Sequence, residues 1–281
     1  MWGCLHGAEQ VCPYNANVEV RFNVKRQIDL HPDLNVTERS FDYPAASKGP
    51  AMSRHILHVA TNIAHFDNPA HPTGLWLSEL THAWDVFAAR GYEQRIVSPR
   101  GGKVPLDPRA LKWPMRDASS RAWLSNPAKM ALLSSTPCPA DINPQDYDAI
   151  YFTGGHGVMW DFPDSEGLQA ITRAVWEKGG IVSAVCHGYC GLLNTRLANG
   201  SFLVSGRKIT GFSWTEERLA GVSREIPYNA EAEMKARGAL YEKALLPFMS
   251  HVVADGKLVT GQNPSSARAT AKKVVSLLGG L

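Results

Sequence analysis

The chain has 281 residues, 44% hydrophobic and 20% charged, which is enough apolar material for one sizeable core and ordinary for a globular domain. Its formal charge of +3 is small and unpatterned, with no Lys/Arg block and no basic stripe interleaved with aromatics, so nucleic acid is not an expected partner. No apolar run approaches the roughly 18 residues of a membrane span, and no membrane partner is expected. The five cysteines, Cys4, Cys12, Cys138, Cys186 and Cys190, are odd in number and form no C-x-x-C pair, which fits a reducing, cytoplasmic compartment. The opening ten residues are too polar for a secretory signal.

Residues 1–51 read as an N-terminal extension, poorly ordered, ending in a Pro-Ala-Ala-Ser-Lys-Gly-Pro linker, with Met52 a candidate start of translation. A compact domain is expected over 52–281, opening with a strand at Met52–Thr61. The spacing of Leu75, Leu77, Leu80, Trp84 and Phe87 predicts a helix stopped at Arg90-Gly91. Gln94–Ser98 follows as a short strand, then a Gly/Pro-rich loop from Pro99 to Pro108 and a Pro-rich insertion carrying Trp113, Met115, Trp123 and Leu124. Tyr147–Thr153 reads as a buried strand, Glu166–Lys178 as a helix closed by Gly179-Gly180, and Ile181–Val185 as the next strand. Lys208–Thr210 and Lys257–Thr260 are further strands, Thr215–Leu219 opens a helix, and Ser265–Leu278 is a final amphipathic helix. This alternation predicts an α/β fold, a mostly parallel sheet with helices on both faces and ligands at the carboxyl ends of the strands.

Four segments carry chemistry. The run Ile181–Val185 breaks abruptly into Cys186-His187-Gly188, the pattern of a nucleophile elbow, in which a strained turn lifts one side chain above the sheet at a helix N-terminus. A cysteine held there is biased toward thiolate, although a lone cysteine is more often an inert core residue. Gly154-Gly155-His156-Gly157 leaves a strand with glycines that let backbone N–H groups approach an oxyanion. Glu79 lies on a largely apolar helical stretch, either solvated or turned inward with a raised pKa; spacing alone favours the solvated position. In Ile209–Glu217 an acid is available to orient His187, although two adjacent acids at a helix start also serve simply as favourable N-terminal charge. His55 and His58 point to opposite faces of one strand, and His65, His71 and His82 lie near loops, so no metal is expected.

These motifs, Thr-Gly-Leu-Trp-Leu-Ser-Glu-Leu, Tyr-Phe-Thr-Gly-Gly-His-Gly, Ala-Val-Cys-His-Gly, Ile-Thr-Gly-Phe-Ser and Leu-Val-Thr-Gly-Gln-Asn-Pro-Ser-Ser-Ala, stand in an order that resembles the ThiJ/PfpI superfamily. Within it the chain looks like the heat-shock-protein-31-type branch of class I glutamine amidotransferase-like proteins, over roughly residues 52–281. The resemblance implies a flavodoxin-like three-layer sandwich, often a homodimer, with Cys186 as nucleophile, His187 beside it and Glu79 near the thiol. It implies an acid on His187, with Glu217 matching its spacing best and Glu216 the fallback. Gly154, Gly155, His156 and Gly188 fall in the oxyanion and substrate-binding positions. The family's Cys-His-Gly-Pro is here Cys-His-Gly-Tyr, with Tyr189 at the start of the elbow helix, a departure that bears on pocket shape.

Members of the branch are described as glutathione-independent glyoxalases acting on methylglyoxal, so the implied partner is a small reactive carbonyl compound and no cofactor is needed. Alternatives within the same resemblance are a cysteine hydrolase acting on an amide or peptide, and a stress chaperone or redox sensor whose Cys186 is oxidised to sulfinic acid. Cys190 reads as a helix-packing residue, with a resolving role as the alternative.

Overall fold

The computed structural model describes residues 53–279, so the expected extension over 1–51 lies outside the described residues. In chain order the elements are β1 (His55–Val59), α1 (Leu77–Ala88), β2 (Glu93–Val97), α2 (Ala118–Leu124), α3 (Pro127–Ser134), β3 (Ala149–Phe152), α4 (Val158–Asp161), α5 (Glu166–Glu177), β4 (Ile181–Val185), β5 (Lys208–Ile209), α6 (Trp214–Ala220), α7 (Ala230–Ala236), β6 (Leu240–Tyr241), β7 (Val252–Asp255), β8 (Leu258–Gly261) and α8 (Ala267–Leu277). Six strands form one sheet in the order β2-β1-β3-β4-β8-β7, parallel throughout except for the antiparallel edge strand β7.

Side-chain alternation along the strands divides the core. Leu57, Val59, Ile150, Phe152, Val182 and Ala184 face the layer that holds Leu168, Ile171 and Val175 of α5. Ile56, Ala149, Tyr151, Ile181, Val185 and Val259 face Ala83 and Phe87 of α1 and Ala271, Val274 and Val275 of α8. A strand buried on both faces carries apolar residues at every position, which is why β3 and β4 read as continuous hydrophobic runs. The result is the expected three-layer α/β sandwich.

Strand order reverses between β1 and β3, because β1 leads through α1 to β2 on one side while β3, β4 and β8 build outward on the other. Segments leaving β1, β3 and β4 therefore converge over the carboxyl edge, where doubly wound sheets place their ligands.

Three details depart from the sequence reading. Lys208–Ile209 pairs with Leu240–Tyr241 in a separate two-stranded parallel sheet and does not join the main one. The Pro-rich insertion holds two helices, α2 and α3, capped by Asp117, which accepts from Ser120 N–H at 2.8 Å, and by Asn126, which accepts from Lys129 N–H at 3.1 Å. Its apolar residues divide: Trp113 and Met115 are exposed, whereas Trp123 is buried in a third cluster with Leu75, Leu77 and Leu80, and Leu124 packs partly against it.

Candidate active site

The chain leaves β4 at Val185 with ordinary extended backbone and turns at Cys186, whose φ of 56° lies in the left-handed region. A non-glycine residue there carries roughly 1–3 kcal/mol of strain, and such strain gathers at functional sites. The 3-10 helix Cys186–Leu192 then packs back on β3, and Gly188 makes this possible: a Cβ on it would fall 2.3 Å from the Phe152 carbonyl oxygen.

Glu79, in the first turn of α1, is fully buried, against the solvated position that spacing favours. The docking is reciprocal. Trp76 N–H donates to the Gly154 carbonyl at 3.1 Å, and Gly154 N–H donates to Glu79 Oε2 at 2.7 Å. A side chain on Gly154 would strike that same carboxylate oxygen and crowd Cys186 Cβ, so the glycine is what lets carboxyl and thiol meet. Glu79 Oε1 is buried with no hydrogen-bond partner among the described residues.

Burial pushes the Glu79 carboxyl up to about 8, against the pull of the neighbouring Cys186 and of the Gly154 N–H. Burial also raises the Cys186 thiol, and the Glu79 charge raises it further. The expected thiolate bias is thereby opposed: two buried acids of like charge cannot both ionise, so thiol and carboxyl titrate as one coupled pair. Cys186 Sγ lies 3.4 Å from His187 Nδ1.

His187 Nε2 bonds Glu217 Oε1, on α6, and both side chains are buried. Glu217 thus occupies the orienting position. Glu216, the alternative, turns the other way: its Oε2 closes a capping box with Ser213, and its Oε1 accepts from Phe248 N–H at 2.8 Å and Asn263 Nδ2 at 2.9 Å. Two imidazoles hold the Glu217 carboxyl well below the usual carboxylate range despite its burial. The second is His156, whose Nε2 is 3.2 Å from Glu217 Oε2 and whose Nδ1 is 3.0 Å from Arg109 Nη2.

Two oxyanion expectations are therefore redirected. The Gly154 N–H is occupied by Glu79, and the His156 ring is held between Glu217 and Arg109. The Gly155 N–H makes no hydrogen bond among the described residues and stays available. His156, His187 and Glu217 bring donor atoms within 4.8 Å of one another, a spacing that a metal ion can use. Those atoms are spent on each other, and the Arg109 cation beside them disfavours a second cation. His65, His71 and His82 do not converge: they bond Phe66 O, Glu225 and Asp117 respectively.

Arg109 was not legible in the sequence, because it sits in the short 3-10 helix Pro108–Leu111, 47 residues before His156, and only the fold joins them. Tyr189 has a defined place. Its hydroxyl donates to the Phe212 carbonyl at 3.0 Å and its ring lies against Gly211, fixing the segment whose Phe212 ring packs 4.7 Å from His187. Cys190 faces the core, where burial raises its thiol to about 12, as expected of a packing residue.

A family model described as the DJ-1/PfpI family matches residues 73–277. Glyoxalase 3 of Candida albicans is 32% identical over 232 residues, covering 80% of this chain and 98% of that protein. The glutathione-independent glyoxalase HSP31 of Saccharomyces cerevisiae is 31% identical, covering 73% and 90% respectively. Among solved structures, the Rapid Encystment Protein 24 KDa of Francisella tularensis superposes with a TM-score of 0.77 at 34% identity, covering 80% of this chain and 99% of that one.

Proposed function

The chain belongs to the DJ-1/PfpI family, and from that membership, the similarity to glutathione-independent glyoxalases and the site geometry we propose that it converts methylglyoxal or a related 2-oxoaldehyde to the 2-hydroxy acid without glutathione. The observation that carries this reading is the buried Glu79 carboxyl, with one oxygen unpaired, beside a cysteine that faces a histidine.

With Nε2–H committed to Glu217, His187 presents the Nδ1 lone pair to the thiol. It takes the Sγ proton as sulfur adds to the aldehyde carbon, so no standing thiolate is required, and returns that proton to the developing alkoxide. Glu79, as carboxylate, removes the hydrogen of that carbon to give an enediolate and delivers it to the neighbouring carbon, while the hydroxyl proton passes from the first oxygen to the second, leaving the thioester of the 2-hydroxy acid on Cys186. Water then cleaves the thioester, releasing lactate and the free thiol, so that methylglyoxal plus water gives lactate. N–H groups of Gly155 and the elbow are the donors for the oxyanion.

Lactate production from methylglyoxal in the absence of glutathione tests this. Wild type turns over, and Cys186→Ala loses all but background. An inactive wild type whose Cys186 still reacts with iodoacetamide sinks the 2-oxoaldehyde reading and favours hydrolysis of an amide or ester.

A second reading rests on a different observation. Trp113, Met115, Leu245, Leu246, Phe248 and Met249 are large apolar side chains left exposed, which is surface a holding chaperone uses. Aggregation suppression by this route survives Cys186→Ser, whereas turnover does not.

A further inference from the structure

Beyond the Cys186, His187 and Glu217 set, we propose that His156 and Arg109 are positioning residues that fix the protonation pattern of the site, with Arg109 holding His156 in the one tautomer that donates to Glu217. This rests on the reading of Cys186 and His187 as the reacting pair. A guanidinium only donates, so the His156 Nδ1 that lies 3.0 Å from Arg109 Nη2 is an acceptor and carries no proton. The ring proton is then on Nε2, which donates to Glu217 Oε2. Glu217 receives one N–H from each imidazole on separate oxygens, and the second fixes His187 with Nδ1 open toward Cys186. Hydrogen-bond polarity runs one way, from Arg109 through His156 to Glu217, and from His187 to Glu217.

Arg109 is itself locked. Its Nε and backbone N–H donate to Asp107 Oδ1 at 3.0 and 2.9 Å, its Nη2 donates to Asp107 Oδ2, and Thr73 Oγ1 donates to that oxygen at 3.0 Å. Phe66, itself buried, packs against both the His156 ring and the guanidinium. The ionisable groups facing Glu217 are His156 from the segment after β3, His187, Tyr189 and Cys190 from the elbow helix, and Arg109 from the insertion. Without the His156 donor, the less satisfied Glu217 carboxylate draws a proton onto the His187–Glu217 pair at higher pH. That proton enters at His187 Nδ1, the open acceptor of the pair, and closes the position facing the thiol.

The test reads the thiol and the imidazoles directly, so it stands whether or not methylglyoxal is the substrate. His156→Phe keeps a ring in the packing and leaves the Asp107–Arg109 pair intact, and His156→Gln keeps a donor. The rate of Cys186 alkylation by iodoacetamide is followed against pH, and nitrogen-15 NMR assigns the tautomers. The expected result is a wild-type His156 protonated on Nε2 alone, an acid limb displaced upward by about one pH unit in His156→Phe, as loss of a charge-assisted donor implies, and its restoration in His156→Gln. A His156 protonated on Nδ1, or an acid limb unmoved in His156→Phe, overturns the proposal. A wild type that forms no lactate while these titrations come out as expected overturns the substrate reading alone.

Discussion

Glu79 is the residue whose chemistry departs furthest from its position on a helical wheel. It stands in an apolar helix face and is buried because Gly154 has no side chain to keep it out. With its carboxyl raised to about 8, the base form is scarce at neutral pH, so kcat/KM for methylglyoxal is expected to rise through an apparent pKa near that value. The value belongs to the Cys186–Glu79 pair. A pH–rate profile measures it, and a flat profile from pH 6 to 9 removes Glu79 as the base. At Tyr189, loss of the hydroxyl in Tyr189→Phe leaves the Phe212 carbonyl without that buried donor, at a cost of about 1–2 kcal/mol in denaturant unfolding. Cys186 and His187 could be named from the strand-and-turn pattern itself, whereas Glu79 and Glu217 could be named only through the family resemblance, because spacing alone favoured solvated positions for such acids. The pairing of the Gly154 N–H with Glu79 and the approach of Arg109 to His156 could not be named at all, since each depends on distance across the fold.

Among the elements, the elbow turn shows how local sequence and packing combine. Ile181–Val185 was legible to the residue as a strand because its run is apolar and β-branched and ends in a sharp break. Gly188→Ala pushes a methyl group into the Phe152 carbonyl and is expected to cost at least about 2 kcal/mol, read as a lowered denaturation midpoint. The insertion between β2 and β3 was read only as a Pro-rich segment, since helices of seven and eight residues give too few turns for periodicity to speak. Their caps, Asp117 and Asn126, were the available signal. Within the insertion, Trp123→Ala is expected to cost about 3–5 kcal/mol, whereas Trp113→Ala, at 87% exposure, stays within about 0.5 kcal/mol of wild type. Equal effects at the two tryptophans contradict this assignment of core and surface.

For the whole molecule, the parallel sheet and its two helical layers followed from the alternation of strands and helices, while the antiparallel edge strand and the small second sheet did not. Val252–Asp255 and Lys208–Ile209 are too short to declare their partners. Among the described residues, no helix is long and apolar enough to cross a membrane. The buried ionisable groups shape stability against pH in two opposing ways. Glu79, raised from 4.5 to about 8, keeps a proton that the unfolded chain releases, so its contribution is full below 4.5 and is lost as pH rises through about 8. His58 and His156, each lowered to about 4, bind fewer protons folded than unfolded, and their contribution is lost as pH falls from 6.5 toward 4. Thermal melts are expected to show Glu79→Gln gaining on wild type as pH rises from about 5 to about 9; a constant difference is inconsistent with a buried, protonated Glu79.

The division of labour between thiol and carboxyl is tested most directly in Glu79→Gln, by measuring adduct formation at Cys186 by native mass spectrometry alongside lactate release from methylglyoxal. Cys186 is expected to form the methylglyoxal adduct while lactate release falls at least about 100-fold, the scale of a lost general acid–base group. Lactate release at the wild-type rate, or an adduct absent from Cys186, contradicts it.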